Sequence, residues 1–136
     1  MSTRHRLREL AVQVLFQHEY LPIESVPDCF TNLQDQILDP SDNEQYAVDL
    51  VTGVLQNLET IDQMIQRNSA HWKISRMAKV DLSILRVSVF EMKFLKPALS
   101  PGIAINEAVE IAKKFGSTDS ASFVNGVLDQ INKLEN

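Results

Sequence analysis

Apolar and polar positions recur with a helical period along most of this chain. The stretch Val80–Leu95, VDLSILRVSVFEMKFL, is the one the others are organised around. Its apolar residues are Val80, Leu82, Ile84, Leu85, Val87, Val89, Phe90, Met92, Phe94 and Leu95. Part of it alternates like a strand. Sixteen residues without Gly or Pro are too many for an ordinary strand and normal for a helix. Wound at about 3.6 residues per turn, these groups cover nearly the whole circumference. A helix apolar all round belongs inside a ring of other helices. No charge-free run reaches the roughly 20 residues that a membrane span needs.

The flanking segments supply that ring. A helix is predicted over about Thr3–Tyr20, with Leu7, Leu10, Ala11, Val14 and Leu15 on one stripe. After Pro22 and Pro27, a second starts near Ser25 and carries Phe30, Leu33, Ile37 and Leu38 to Asp39-Pro40. Ser41-x-x-Glu44 reads as a capping box opening a third, which runs to about Asn57 with Tyr46, Leu50, Val51, Val54 and Leu55 inward. A fourth, Leu58 to Asn68, turns Leu58, Ile61, Met64 and Ile65 to one side. His71-Trp72-Lys73 is a junction, and Ser75 caps a short turn before the central helix.

Beyond Pro97 and Pro101 the pattern resumes over Ile103–Phe115, with Ile105, Ala108, Val109 and Ala112 as its stripe. The last helix begins among the N-cap candidates Ser117–Ser120 and reaches Leu134. Gly126 inside it costs about 1 kcal/mol relative to Ala, which predicts close approach of a neighbouring helix. The expected fold is all-α, with about seven helices.

Composition narrows the class. The 136 residues are 44% hydrophobic and 23% charged, which suits one globular domain with a real core. A single cysteine, Cys29, allows no internal disulfide and fits a reducing cytoplasm. The N-terminal residues lack the apolar run of a signal peptide.

The net charge of −5 is unevenly spread. Residues 1–8 hold three Arg and no acid, while residues 9–66 hold eleven acids and no Lys or Arg. Residues 67–96 hold seven basic residues against two acids. Arg4, Arg6 and Arg8 crowd the first turns of a helix, where the dipole disfavours cations by about 0.3–1 kcal/mol each. An anionic ligand would reverse that penalty. On the same helix Val12 and Phe16 point roughly opposite the core stripe, either beneath another helix or as an apolar patch for a partner.

Catalytic chemistry is sparse. His5, His18, His71 and Cys29 have no metal-ligand spacing, and no phosphate loop or nucleophile motif occurs. Glu107 and Glu110 read as a solvated helix face, and Lys113 and Lys114 as a basic helix end. The chain therefore reads as a binding protein without catalysis or cofactor. The free N–H groups near Ser117–Ser120 could receive a phosphate, and Phe123 could stack on a base.

Three groups of residues carry a family resemblance: Arg8–Phe16 (RELAVQVLF), Val80–Arg86 (VDLSILR), and Ile105–Gly116 (INEAVEIAKKFG) with Phe123–Asp129 (FVNGVLD). Together they resemble the NusB family of transcription antitermination factors, over nearly the full length. The resemblance implies two small helical bundles, about 1–70 and 71–136. It implies binding of single-stranded boxA RNA in ribosomal RNA transcripts. The partner it implies is the small-subunit ribosomal protein NusE, within an elongation complex holding other Nus factors.

By the same resemblance the RNA-binding residues are Arg4, His5, Arg6, Arg8, Asp119, Ser120 and Phe123, and the partner-binding ones Val12, Phe16 and Asp81. With about three to five phosphate contacts, the salt slope for a single strand is roughly −2 to −3.5. Two other readings stay open. One is a helical protein–protein interaction module or homodimer without nucleic acid. The other is the RNA-binding part of a ribosomal RNA methyltransferase, for which no Gly-rich segment is present.

Overall fold

The structure is a computed structural model that describes residues 3–22, 24–26, 30 and 44–135. Six α-helices lie among the described residues, and no strand. They are α1 (Thr3–His18), α2 (Gln45–Gln56), α3 (Leu58–Arg67), α4 (Lys79–Lys93), α5 (Pro101–Phe115) and α6 (Ser120–Leu134). A single 3₁₀ turn, Ile74–Arg76, leads into α4. Apart from Ser25, Val26 and Phe30, the helix expected over Ser25–Leu38 lies outside the described residues, as do Cys29 and Ser41 of the capping box.

The central helix behaves as its pattern predicts. α4 packs against each of the other five helices. Twelve consecutive residues, Asp81 to Met92, are buried. Five of these are polar, so the helix is buried all round without being apolar all round. Burial of a polar group is tolerable only with a partner. Arg86 donates from Nε and Nη2 to Asp62 of α3, at 2.9 and 2.8 Å, and also bonds Glu19 beyond α1. Ser83 turns its hydroxyl back to the Lys79 carbonyl at 2.8 Å.

Local chemistry sets the helix ends. Asn57 and Asn68 donate side-chain bonds of 2.8 Å to carbonyls one turn back, closing α2 and α3. Pro101 occupies the first turn of α5, where its fixed φ and missing N–H fit, so the helix starts two residues earlier than its stripe suggested. Ser75 lies inside the 3₁₀ turn, and Lys73 holds the cap position expected of it.

The glycines separate two situations. A Cβ on Gly53 would lie 2.2 Å from the Phe90 ring, so that glycine lets α2 and α4 approach. Gly126 was expected to do the same in α6, but a Cβ there would meet nothing within 4 Å. No described helix is long and apolar enough to cross a membrane. The division expected near residue 70 falls between α3 and the 3₁₀ turn, and α4 contacts helices on both sides of it.

Candidate nucleic-acid interface

The start of α1 folds its charge inward. Arg8 is buried, and its Nε donates to both Glu91 oxygens, at 3.0 and 2.8 Å. Its Nη1 donates to Glu107 at 2.9 Å. The Tyr46 hydroxyl also donates to Glu91. Arg4 lies over the Tyr46 ring, 3.7 Å from its centroid, a cation–π contact. His5, also buried, has Nε2 3.0 Å from Glu9 and bonds Glu107 through Nδ1. Lys114 reaches Glu9 at 3.1 Å. The network ties α1 to α2, α4 and α5.

Its electrostatics are those of a low-dielectric interior. Burial works against the Arg8 charge, but the Glu91, Tyr46 and Glu107 groups outweigh it and hold the guanidinium above its ordinary pKa. Burial, then the bond to Glu91, pushes the Tyr46 phenol up. Burial also raises the Glu91 carboxyl above its usual range, against the opposing pull of Tyr46 and Arg8.

This corrects the expectation that all three arginines at a positive helix tip await an outside anion. Arg8 is neutralised from within. Glu91 and Glu107 lie 83 and 99 residues away in sequence. Glu107, read from the sequence as a solvated carboxylate, is part of the same network. Arg6 is exposed and forms no ion pair among the described residues. Arg4 is exposed too, apart from its contact with Tyr46.

Val12 requires a second correction. It is 3% exposed and belongs to the core, although it was expected opposite the core stripe. α1 packs on both α2 and α4, so two of its faces are covered. Phe16 is half-buried and meets Tyr20 edge-on, with ring centroids 5.2 Å apart. Tyr20 and Leu21 are 67% and 77% exposed. The apolar surface on this side is therefore at the end of α1, around Phe16, Tyr20 and Leu21.

The start of α6 is built differently. Asp119 is exposed at the cap position and makes no side-chain cap bond. Ser120 is buried, and its hydroxyl accepts from the Ser117 N–H at 2.9 Å. Phe123 is half-buried against the core. A pocket of about 510 Å³ opens here, lined by Trp72, Arg76, Asp81, Asp119, Ser120 and Phe123 among others. Asp81 is only 8% exposed, and its Oδ1 has no hydrogen-bond partner among the described residues. A buried acceptor left unpaired is costly, and this oxygen is itself out of reach of solvent, so of the pocket's two carboxylates it is Asp119 that is exposed.

The structure thus brings Asp81 together with Asp119, Ser120 and Phe123. The basic arm is not in that pocket. Arg4 and Arg8 line a separate hollow of about 450 Å³ with Tyr46 and the segment Leu95–Leu99. Trp72 and Arg76 were not singled out as binding residues from the sequence. Trp72, the chain's one tryptophan, was read only as a junction, although its position in the basic stretch 67–96 was a usable signal. Tyr46 was read as core and Glu91 was not singled out. A carboxylate deep in the apolar central stretch, ten residues past Asp81 near its start, was the available clue.

These features define a small all-helical binding protein with an open, aromatic-walled pocket at one helix start. No group of residues that could hold a metal occurs among the described residues. A model of the NusB family matches residues 5–133, and the chain belongs to that family. It is 53% identical over 133 residues to the transcription antitermination protein NusB of Bdellovibrio bacteriovorus, covering 98% of this chain and 97% of the relative. T. maritima NusB has a similar structure, with TM-score 0.85 and 33% identity over 98% of this chain and 93% of that one. A structure of antitermination factors NusB and NusE in complex with dsRNA aligns with TM-score 0.82 and 30% identity, covering 96% of each chain.

Proposed function

We propose that this protein is a non-catalytic transcription antitermination factor. It binds single-stranded boxA-type RNA of ribosomal transcripts, as a heterodimer with ribosomal protein NusE, and assists elongation together with other Nus factors in the cytoplasm. The observation that carries the reading is the open pocket at the start of α6, with Phe123 and the exposed Asp119 carboxylate in its lining. RNA sequence is read mainly on unstacked strands, by stacking and base-edge hydrogen bonds. Phe123 supplies the ring. The Asp119 carboxylate supplies acceptors for base amines, and the N–H groups of the helix start suit a phosphate.

The basic arm divides in this reading. Arg4 and Arg6 are the members that meet RNA phosphates. His5 and Arg8 hold the helix that presents them. A similar division applies to the partner face. Phe16, extended by Tyr20 and Leu21, is the apolar surface offered to NusE. Val12 supports it from the core, and Asp81 stands where the RNA and partner sites meet. That NusB and NusE occur in one RNA complex in a related structure supports the pairing.

The deciding experiment is a binding titration with boxA-type RNA, with and without NusE, followed by sedimentation. The expected result is weak binding alone and stronger binding by a 1:1 heterodimer. A protein that dimerises on itself and leaves RNA free in both conditions would overturn the reading in favour of a pure interaction module.

A further inference from the structure

The groove beside the helix-start pocket explains a glycine that packing does not. Gly126 sits in the interior of α6, where helix propensity disfavours it. Nothing lies within 4 Å of the position its Cβ would take. No neighbour therefore requires a small residue there. What the missing side chain leaves is space. A groove of about 450 Å³ lies over Gly126, lined by Trp72 and Phe123 and reaching Gln130 and Leu134 along α6. Trp72, Ser122 and Phe123 line both this groove and the pocket at the α6 start, so the two hollows adjoin.

Charge selects the occupant. The chain as a whole carries −5, yet among the described residues no Asp or Glu lines this groove. Arg67 lies at its rim, bonded to Glu135 at 2.8 and 3.1 Å. Lys73 and Arg76 flank Trp72, are exposed, and form no ion pair among the described residues. Trp72 is 55% exposed, an unusual cost for the largest apolar ring in the chain. The exposed Trp72 and half-buried Phe123 beside unpaired cations, in a groove whose one rim carboxylate, Glu135, is bonded to Arg67 and Asn68, are the features that track a single strand through base stacking and phosphate contacts.

We infer that Trp72, Phe123 and the floor left open by Gly126 form a second base-stacking site, which extends the RNA path from the α6 start, with Lys73 and Arg76 on its phosphates. This rests on the RNA-binding reading above and lengthens its footprint. It assigns binding roles to Trp72, Lys73, Arg76 and Gly126.

The test uses the full chain, a fluorescein-labelled boxA-type RNA for affinity, and the intrinsic emission of Trp72 for contact. RNA without NusE is expected to quench that emission, because the base stacks on the only indole present. Trp72→Ala is expected to weaken binding roughly 5- to 100-fold, the range for one lost stack. Gly126→Leu is the decisive variant. Leu is the better helix former and has open space, so its melting temperature is expected to equal or exceed the wild type. Its RNA affinity is nevertheless expected to fall by a similar factor, because the floor is filled.

Wild-type binding with unmoved Trp72 emission and full affinity in Gly126→Leu would overturn the groove alone. Emission that responds to NusE and not to RNA would assign the groove to a protein and overturn it too. A wild-type protein that binds no RNA with or without NusE would overturn both this inference and the reading beneath it.

Discussion

The starts of α1 and α6 make an instructive pair. Both bring polar and charged groups to a helix N-terminus, and both were candidate RNA contacts. At α1 the charges close on one another: Arg8 on Glu91 and Glu107, His5 on Glu9 and Glu107, Arg4 on Tyr46. At α6 Asp119 stays open, exposed and without a side-chain cap bond. A charge satisfied inside the chain serves stability, and one left open is available to a ligand. Residue type at a helix end does not separate the two cases, but the location of the partners does.

The comparison breaks most sharply at Glu91. Glu91→Ala strands Arg8 with Glu107 as its only carboxylate, and breaking a buried pair costs about 3–5 kcal/mol. Chemical denaturation measures it. Asp119→Ala, at the open start, is expected to stay within about 0.5 kcal/mol of wild type. A mild Glu91 variant would mean that the α1 network contributes little.

Two arginines on one helix sharpen the same point. Arg8→Glu places a third carboxylate against Glu91 and Glu107, and is expected to unfold the protein or lower its melting temperature strongly. Arg6→Glu is expected to leave melting unchanged and to weaken RNA binding. Losing one phosphate contact should reduce the single-strand salt slope by about 0.7. Titrations at several salt concentrations read this directly.

The smallest expected effect is at the edge of the groove. Pairing with Arg67, then Asn68, lowers the Glu135 carboxyl from its ordinary 4.5 to about 2. A depressed carboxylate stabilises the fold above its unfolded pKa, and that contribution is lost as protons bind. Wild type should therefore exceed Glu135→Gln slightly at neutral pH, and the two should converge as pH falls from about 4.5 toward 2. Paired melting curves across that window check the sign.

Much of the fold was legible in the periodicity. Burial on all sides of α4 followed from its apolar circumference, and the stripes of α2 and α3 face the core, whereas the face α5 buries is Ala104, Ala108, Ile111 and Ala112, turned from the expected stripe so that Val109 is only half-buried. The motifs RELAVQVLF, VDLSILR and INEAVEIAKKFG were enough to suggest the family. The pairing of charges was not legible, because it joins residues 83 and 99 positions apart and depends on how helices cross. Val12 was left between a covering helix and a partner because a single stripe shows one covered face, while α1 has two. Trp72 and Asp81 meet Phe123 only once the turn before α4 folds against α6.

The central claim is that RNA bases are read on the open side, at Phe123, while the buried Arg8–Glu91–Glu107 network of α1 serves the fold. Phe123→Leu tests it most directly, because it keeps apolar packing and removes the stacking ring. Its affinity for boxA-type RNA, measured with NusE present, is expected to fall roughly 5- to 100-fold with the melting temperature nearly unchanged. Wild-type affinity in that variant would contradict the account.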